Sequence, residues 1–413
     1  MLQAGAAAGL LAGCGSGTSI SSDPDELVLW YWNRSIAPSL LETAAQQIPG
    51  TGRRLRADVL GGAFDTKLRT GFAAQAYIPD ITAVNSNAAL YFPSEDQFLD
   101  LDELGAQQHR GDYYGWKWDL GRTPSGRFLF WPMDTGPTGF FYRADLLAAA
   151  GLPSAPEEVS AAVRDWPDWI ELGRELRRSS DVALIGNAVM VFNQYLNASP
   201  ERFFDAEDRP LFHEDGSAVR AAWDTAVAAV QAGASLNLQV ENEQNAAWNS
   251  GKLAGHIEGA WWMKVLSDTA PQTAGQWRLA RQPGDPGNSG GSFLALPKDC
   301  KDPEAAFAFA RWLTLPENQA RSYTEVQLFP SAPAAFTSGM EDTTGFFGEQ
   351  DPLAFFSDAA ANVPTTFIST YENQIGAFRD QLRVVESAGK DPDAAWQDAV
   401  DVIDKLLRKR GVI

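Results

Sequence analysis

Cysteine, histidine and basic residues are scarce in this chain of 413 residues, and each shortage disfavours a class of protein. Two cysteines, Cys14 and Cys300, cannot build a disulfide framework, and no CxxC spacing offers a zinc site. The 33 lysines and arginines face 53 aspartates and glutamates, which gives a formal net charge of −20. Such a surface repels phosphate backbones and anionic lipids, so we expect no nucleic-acid partner and no membrane-binding basic patch. No apolar run approaches the roughly 20 residues of a membrane-spanning helix.

The motifs of metal, nucleotide and hydrolase sites are also missing or misplaced. The histidines, His109, His213 and His256, lie far apart and outside any HExxH motif, so we predict no metal and no cofactor. Neither GxxxxGK[ST] nor GxGxxG occurs, which disfavours a nucleotide site. Residues 287–291 match GxSxG, but a predicted strand follows them instead of preceding them, the reverse of a hydrolase elbow. We therefore predict no catalytic residue and no enzyme.

Paired carboxylates leave one enzymatic alternative, a secreted carbohydrate-active enzyme. A glycosidase needs two carboxyl groups about 5–9.5 Å apart. An acidic chain supplies such pairs by chance, so residue type alone cannot decide. The candidates are Asp134, Glu241, Glu243 and Glu258.

The N-terminal segment has the features of a lipid anchor. Its Leu-Ala-Gly-Cys sequence at 11–14 resembles the lipobox of bacterial lipoproteins, in which the cysteine, here Cys14, is acylated. The first basic residue is Arg34, so we expect the native signal to begin upstream or to have been trimmed. A lipid on Cys14 would leave Cys300 without a disulfide partner. Residues 15–26 are rich in glycine, serine, threonine and aspartate and predict a flexible tether.

Strand and helix patterns alternate over the first part of the chain. Apolar runs bounded by turn residues predict strands at 27–32, 54–60 and 79–84. Segments with helical periodicity, at 38–47 and 63–75, lie between them. This order is typical of a parallel sheet covered by helices, so we predict an α/β fold.

Later segments continue this mixture of strands and helices. Two helices are predicted to begin at the caps Asp302 and Asp391, because proline follows each at the first helical position. Further strands are predicted at 128–131, 138–142 and 292–296, and further helices at 145–150, 169–178 and 218–232.

Aromatic and amide side chains at predicted strand ends are candidates for a ligand site. An indole is flat and apolar, so it can stack on the C–H face of a sugar ring while amides and carboxylates bind the hydroxyls. Ligands of open α/β sheets bind outside the carboxyl ends of the strands. The alternatives are tryptophans in the core and asparagines in plain turns. The side chains concerned are Trp30, Trp32, Asn33, Asn85, Asn87, Trp261 and Trp262.

Five ordered segments together point to one family. They are PDI at 79–81 with FLDL at 98–101, GPTGFFYRADL at 136–146 with AGL at 150–152, SGKLA at 250–254 with EGAW at 258–261, GG at 290–291, and FPS at 329–331. The chain resembles the extracellular solute-binding proteins of bacterial ABC importers, in the sugar-binding group that includes maltose-binding protein. Two features depart from that pattern: Ala260 stands where proline is usual, and 155–164 looks like a short insertion.

The resemblance implies a two-lobed α/β fold of the type II periplasmic-binding-protein kind. Each lobe would be a mostly parallel sheet flanked by helices, and a hinge of crossing strands would join the lobes. Residues 1–26 would form the signal remnant and tether. The first lobe would comprise 27–136 and 290–332, and the second lobe 137–289 and 333–413.

The resemblance also implies a function. The protein would capture a sugar or oligosaccharide between its lobes and deliver it to ABC permease subunits. It would act as a monomer on the extracellular face of the bacterial membrane, held there only by lipid on Cys14. A polyol, glycoside or cationic amine as cargo, and a cell-surface scaffold without a ligand, remain alternatives.

The resemblance finally implies which residues bind the ligand. By position, Trp261 would be the stacking platform, and Gly291 would offer its backbone N–H to a hydroxyl. We expect a neutral mono- or oligosaccharide, because tryptophan is abundant and the sequence shows no arginine cluster for an anion. The other predicted ligand-binding residues are Trp32, Asn33, Asn85, Asn87, Asp134, Glu258, Trp262 and Tyr371.

Overall fold

The computed structural model describes residues 21, 23–340 and 345–413, so the predicted lipidation site at Cys14 lies outside the described residues. The strands are β1 (Glu26–Tyr31), β2 (Arg54–Val59), β3 (Ile81–Val84), β4 (Trp131–Pro132), β5 (Asp134–Thr135), β6 (Thr138–Arg143), β7 (Gly255–Gly259), β8 (Trp277–Ala280), β9 (Phe293–Ala295) and β10 (Phe329–Pro330). The α-helices are α1 (Pro38–Gln46), α2 (Phe64–Ala74), α3 (Gly115–Asp119), α4 (Ala144–Ala149), α5 (Pro156–Ala162), α6 (Trp166–Ser179), α7 (Ala188–Asn197), α8 (Ala218–Gln231), α9 (Glu241–Asn249), α10 (Trp262–Thr269), α11 (Pro303–Leu313), α12 (Pro316–Val326), α13 (Pro352–Ala361), α14 (Gly376–Ala388) and α15 (Pro392–Lys409). Short 3₁₀ helices cover Ala88–Gln97, Leu101–Leu104, Ala106–Asp112, Leu211–His213, Pro271–Thr273, Pro333–Thr337 and Thr370–Gln374.

The first sheet has the strand order β2-β1-β3-β9-β4. Strand β1 pairs in parallel with β2 and with β3, and α1 and α2 lie between these strands along the chain. Successive β1 side chains point to opposite faces, so Leu27 and Leu29 enter one core cluster while Val28 and Trp30 enter another. A strand buried on both faces reads as a continuous apolar run, which is why the sequence predicts it so clearly.

The second sheet has the strand order β7-β6-β8, and β6 pairs antiparallel with both neighbours. In the first sheet, β9 is also antiparallel to β3 and to β4. The prediction of a mostly parallel sheet in each lobe is therefore wrong, although the two-lobed α/β fold is confirmed. The reason is directional: β6 and β9 lead the chain away from the crossing between the sheets, whereas their neighbours run toward it.

The segments that cross between the two sheets lie side by side. Strand β5 pairs with β10, with Asp134 opposite Pro330. The next crossing, at 287–291, is held by the Ser289 N–H, which donates to the Gly136 carbonyl at 2.8 Å. The Gly136 N–H in turn donates to Asn288 Oδ1 at 2.9 Å. A narrow set of paired backbones joins the halves, as a hinge of crossing strands requires.

The apolar core of the second half is divided by its sheet in the same alternating way. Phe140 and Tyr142 pack into the cluster beneath α6, α7, α8, α14 and α15, whereas Phe141 packs into a cluster on the opposite face. That opposite cluster also contains Phe329, which the sequence assigns to the first lobe. The segment around β10 therefore touches both halves, and the lobe boundary at 332 stays a prediction.

Helix α11 begins as predicted at Asp302, whose side chain accepts a hydrogen bond from the Ala305 N–H at 3.1 Å. The same carboxylate accepts from Arg53 Nε at 2.7 Å. Partial burial alone would raise the pKa of Asp302, but the Arg53 and Ala305 hydrogen bonds and the Arg53 charge hold it below its usual value.

We expect Asp302→Asn to keep the cap but to lose the ion pair, which costs about 0.5–1 kcal/mol at pH 7 because the pair is partly solvated. A carboxyl whose folded-state pKa is depressed stabilises the fold above its unfolded pKa. Its contribution is lost as the pH falls through the folded-state pKa. Urea unfolding at pH 7 and pH 3 measures the difference in the free energy of unfolding between the wild type and Asp302→Asn. If that difference is the same at both pH values, then the Arg53 ion pair makes no contribution to stability.

The described residues contain no cluster of three or more histidine, cysteine, aspartate or glutamate side chains arranged to hold a metal ion. Among the same residues, no helix combines the length and the apolar character needed to cross a bilayer. Cys300 is a buried free thiol. Burial raises the pKa of this thiol to about 12, so its reactive thiolate is suppressed at neutral pH.

Candidate ligand-binding site

A cavity of about 350 Å³ lies between the two halves, and we call it the cleft cavity. Its volume is within the range of about 300–1,000 Å³ that is typical of small-molecule sites. The first half contributes Ser86, Asn87, Leu90, Lys117 and Phe293 to its wall. The second half contributes Asn193, Gln194, Asn197, Arg202, Glu258, Glu372 and Arg379, and the crossing segment adds Asn288, Ser289 and Gly290.

Four lining side chains each present a buried polar atom that has no hydrogen-bond partner among the described residues. Two of these atoms are acceptors, Asn87 Oδ1 and Glu372 Oε1, and two are donors, Lys117 Nζ and Arg202 Nε. Leaving such a group unpaired costs about 1–3 kcal/mol, so proteins rarely bury them without a use. The cavity wall therefore offers both acceptors and donors, from both halves, to a polar ligand.

Asn87 shows how the fold aims one of these atoms. It directly precedes the 3₁₀ helix Ala88–Gln97, just past the end of β3. Its Nδ2 donates to Asp65 Oδ2 at 3.3 Å, and Tyr91 Oη donates to the other oxygen of Asp65 at 2.8 Å. Because the amide nitrogen is occupied, the carbonyl oxygen is the group left for the cavity.

Two arginines and one glutamate form a buried charge cluster on the second half. Arg202 and Glu372 form an ion pair of 3.2 Å. Arg379 Nε donates to Asn193 Oδ1 at 2.8 Å. Burial raises the pKa of Glu372, while the charges of Arg202 and Arg379 oppose that shift. Burial also lowers the pKa of Arg379, and repulsion from Arg202 adds to this effect.

Lys117 is the cation that the first half contributes, and its side chain is fully buried. Its Nζ lies 3.4 Å from the centroid of the Phe293 ring, a cation–π contact. Burial lowers the pKa of Lys117 to about 7, and the negative charge of Asp134 opposes this change. Asp134 itself accepts a hydrogen bond from the Ser292 N–H at 2.8 Å, while burial raises its pKa.

Glu258 lies at the end of β7, where the strand reaches the cleft cavity. Its Oε1 accepts from the Gly259 N–H at 2.8 Å. Burial raises the pKa of Glu258, and hydrogen bonds from Ser289, Gly259 and Gln194 oppose the shift. The Glu258 carboxyl therefore offers the cavity an oxygen that can accept a hydrogen bond from a hydroxyl.

Of the residues predicted from the sequence, Asn87 and Glu258 line the cleft cavity. Asp134 and Gly291 do not line it but lie directly behind Lys117. A Cβ on Gly291 would come within 3.1 Å of Lys117 Nζ and 2.8 Å of the Asp134 carbonyl oxygen. They position the lysine and the crossing segment.

Trp261 and Trp262 differ sharply in their surroundings. The Trp261 ring is partly exposed, and its Nε1 donates to the Ser289 carbonyl at 2.8 Å beside the cavity-lining Gly290. Trp262 is 4% exposed, with ring contacts to Phe141, Trp248, His256 and Trp277. The structure corrects the prediction for Trp262, whose ring is enclosed by core aromatics and cannot meet a ligand.

The remaining predicted residues lie away from the cavity wall. Trp32 packs edge-on against Phe64, with ring centroids 5.2 Å apart, and Asn33 is exposed beside it. Asn85 is exposed and accepts from its neighbour, the Ser86 N–H, at 2.6 Å. Tyr371 packs against Phe204 in the second core, with ring centroids 6.1 Å apart. Trp30, considered for the site, is a core residue.

Of the second-half wall residues, Glu258 alone was predicted from the sequence. Asn193, Gln194 and Asn197 share α7, and 193 and 197 are four residues apart on one face of a largely buried apolar helix. That polar spacing was a signal that could have been found. Arg202 and Arg379 are distant in sequence, so no local pattern joins them. The expectation that the chain has no arginine cluster is therefore corrected by the structure.

Comparison with known proteins gives matches along most of the chain. The family model for bacterial extracellular solute-binding proteins matches residues 57–320. A lactose-binding protein of Rhizobium radiobacter is 24% identical over 377 residues, which are 85% of this chain and 85% of that protein. The crystal structure of an extracellular solute-binding protein of family 1 has a TM-score of 0.84 at 27% identity, covering 92% of this chain and 99% of that one. The sugar-binding protein MalE from Xanthomonas citri has a TM-score of 0.77 at 20% identity, and the match covers 93% of this chain and 98% of that one.

These matches agree with the two-lobed architecture and with the cavity between the lobes. The family model covers more than half of the chain, which establishes membership. Members bind solutes, so membership also confirms the prediction that the protein is not an enzyme. The chain belongs to the bacterial extracellular solute-binding proteins.

Proposed function

We propose that the protein captures a sugar or oligosaccharide between its lobes and delivers it to the permease of an ABC importer. The observation that carries this proposal is the set of four unpaired polar atoms, two acceptors and two donors, around the cleft cavity. A sugar suits such a wall because every hydroxyl can both donate and accept a hydrogen bond. The names of the lactose-binding relative and of MalE support the same class of ligand.

Capture and release follow from where those four atoms lie. Asn87 and Lys117 belong to the first half, and Arg202 and Glu372 to the second. A sugar that bonds to both halves at once makes its full set of contacts only when the halves are close together. Binding therefore shifts the population toward the closed arrangement, which the permease would recognise.

The stacking role of Trp261 is part of this proposal. Its indole N–H is fixed by the Ser289 carbonyl, and the ring is partly exposed next to Gly290 in the cavity wall. A partly exposed ring that is held at one edge can stack on a sugar with little loss of side-chain entropy. Tyr371, Trp32, Asn33 and Asn85 are proposed only as outer contacts for a longer oligosaccharide.

We further propose that the protein works as a monomer on the outer face of the membrane. Lipid on Cys14 would keep it near the permease and raise its effective concentration there. We also keep the boundaries of the lobes as predicted, with the chain crossing near 136, 290 and 332. Mass spectrometry of the N-terminal peptide from native membranes would detect an acylated Cys14, and an unmodified thiol would refute the anchor.

Isothermal titration against a panel of mono- and oligosaccharides, with polyols and amines in parallel, tests the proposed function. We expect saturable binding of at least one sugar. A ligand at 100 times its dissociation constant raises stability by about 2.7 kcal/mol, so a thermal-shift screen can select the panel. Binding of a polyol or amine with no response to any sugar would contradict the proposal.

Asn87 and Asn85 make a matched pair for mapping the site. We expect Asn87→Ala to weaken sugar binding by about 0.5–1.5 kcal/mol, because it removes the acceptor aimed into the cavity. Asn85→Ala should leave the affinity for a monosaccharide unchanged, since that side chain is exposed, lies outside the cavity wall and bonds to its own turn. Titration calorimetry on both variants measures the difference. An equal loss of sugar affinity in the two variants would show that Asn87 does not contact the ligand.

A further inference from the structure

We propose that the sugar captured here is acidic, and that its carboxylate binds beside Arg202 and Arg379. This inference rests on the proposed function and narrows it to a class of sugar. It replaces the expectation of a neutral ligand, which depended on the sequence showing no arginine cluster.

The first ground is the charge count at this part of the cleft cavity. Arg202 and Arg379 both line it, and they share one carboxylate, Glu372. Glu372 lies 3.2 Å from Arg202, with side chains that are only 15% and 13% exposed for the arginine and the glutamate. Two guanidinium groups and one carboxylate leave one positive charge in excess.

The second ground is that, among the residues that the structure describes, no further acid acts on Arg379 to compensate this excess. The charges that act on Arg379 are Arg202, Glu372, Arg383 and Asp380. Arg383 and Asp380 form their own ion pair of 2.8 Å and largely cancel. Two charges then remain to act on Arg379. The Arg202 guanidinium repels it, and the Glu372 carboxylate attracts it but already pairs with Arg202.

The third ground is an unused donor that faces the ligand. Arg202 Nε is buried and has no hydrogen-bond partner within the described residues, although the guanidinium pairs with Glu372 through another nitrogen. An uncompensated buried charge is costly, and a carboxylate is the planar acceptor that a guanidinium binds best. Lys117 Nζ also has no hydrogen-bond partner among the described residues, and it adds a donor from the first lobe.

The remaining acid of the wall does not change this balance. Glu258 takes its hydrogen bonds from Ser289, Gly259 and Gln194, and burial raises its pKa. Neither arginine is among the groups that shift its pKa, and burial favours its neutral form. In a chain whose formal net charge is −20, a positive patch inside the cleft cavity is a local feature of the site.

The test compares acidic sugars with their neutral parents by titration calorimetry on the whole chain. Suitable pairs are galacturonate with galactose, glucuronate with glucose, and lactobionate with lactose. We expect the acidic member of at least one pair to bind about tenfold more tightly or better, as a hydrogen bond to a charged group allows. Arg379→Gln should remove about tenfold to a hundredfold of that affinity while changing the neutral parent little.

Arg408→Gln is the matched control, because Arg408 lies in α15 with its side chain 65% exposed, outside the cavity wall and not among the charges that act on Arg379. It should bind like the wild type. Arg202→Gln is a second variant, and we expect it to lose the preference for acidic sugars in the same way. Thermal unfolding of each variant checks that it is folded. Tighter binding of the neutral parents, or equal losses for both members of a pair in Arg379→Gln, would overturn the inference and leave the proposed function standing. Failure of every sugar, acidic or neutral, would overturn both.

Discussion

Trp262→Ala should destabilise the protein by about 3–5 kcal/mol, the cost of removing a buried aromatic ring. The Trp262 ring centroid lies 4.4 Å from that of His256, 4.9 Å from that of Phe141 and 5.0 Å from that of Trp248. These rigid neighbours cannot collapse into the space that the indole leaves. Urea unfolding followed by tryptophan fluorescence and circular dichroism measures the loss.

The adjacent Trp261 is the natural comparison. We expect Trp261→Ala to keep most of the stability but to weaken sugar binding by on the order of 1–3 kcal/mol, the scale for burying a large apolar side chain. Trp261 makes one hydrogen bond to the crossing segment and is partly exposed. A collapse of stability in Trp261→Ala with unchanged affinity would show that both tryptophans are core residues and that the proposed platform is misplaced.

Gly136→Ala should be the most damaging small change in the hinge. A Cβ at position 136 would lie 2.0 Å from the Ser289 carbonyl oxygen, a backbone atom that cannot rotate away. We expect a loss of about 3 kcal/mol or more, at the upper end for overpacking. Sugar affinity should fall as well, because the displaced carbonyl is the one that holds the Trp261 indole. Chemical unfolding and calorimetry follow the two effects separately.

Gly376→Ala provides the control for this substitution. Gly376 is the first residue of α14, and a Cβ there would meet no heavy atom within 4 Å. We expect stability to stay within about 0.5 kcal/mol of the wild type, or to rise slightly through reduced freedom of the unfolded chain. If Gly136→Ala unfolds at the same urea concentration as Gly376→Ala, then the crossing segments are not tightly paired.

The predictions from sequence that the structure confirms are those carried by local patterns. The apolar run at β1, the helix beginning at Asp302 and the alternation of strands with helices are each encoded by neighbouring residues. Antiparallel pairing of β6 and β9 was not predictable in this way, because strand direction depends on where the chain crosses between the lobes. Hydrophobic patterning reports burial and carries little information about direction.

In the candidate site, too, some residues were predictable from local sequence patterns and others depended on the fold. Asn87 was within reach of the sequence because it follows a predicted strand, and open sheets bind their ligands at strand ends. Glu258 was within reach as a carboxylate in the EGAW segment that carries the family resemblance. Trp261 and Trp262 have the same residue type and adjacent positions. Only the fold shows that one ring is enclosed by aromatics while the other borders the cavity.

By itself, the sequence determined the class of fold, the family and the absence of a recognisable catalytic motif, since these depend on composition, periodicity and ordered short segments. Tertiary structure alone decided the charge of the binding wall. Arg202 and Arg379 are far apart along the chain and share the cavity wall because the fold packs α14, which carries Arg379, against α7, which ends at Asn197 shortly before Arg202. Electrostatic balance at a site depends on distances through space, and a linear sequence does not contain those distances until it folds.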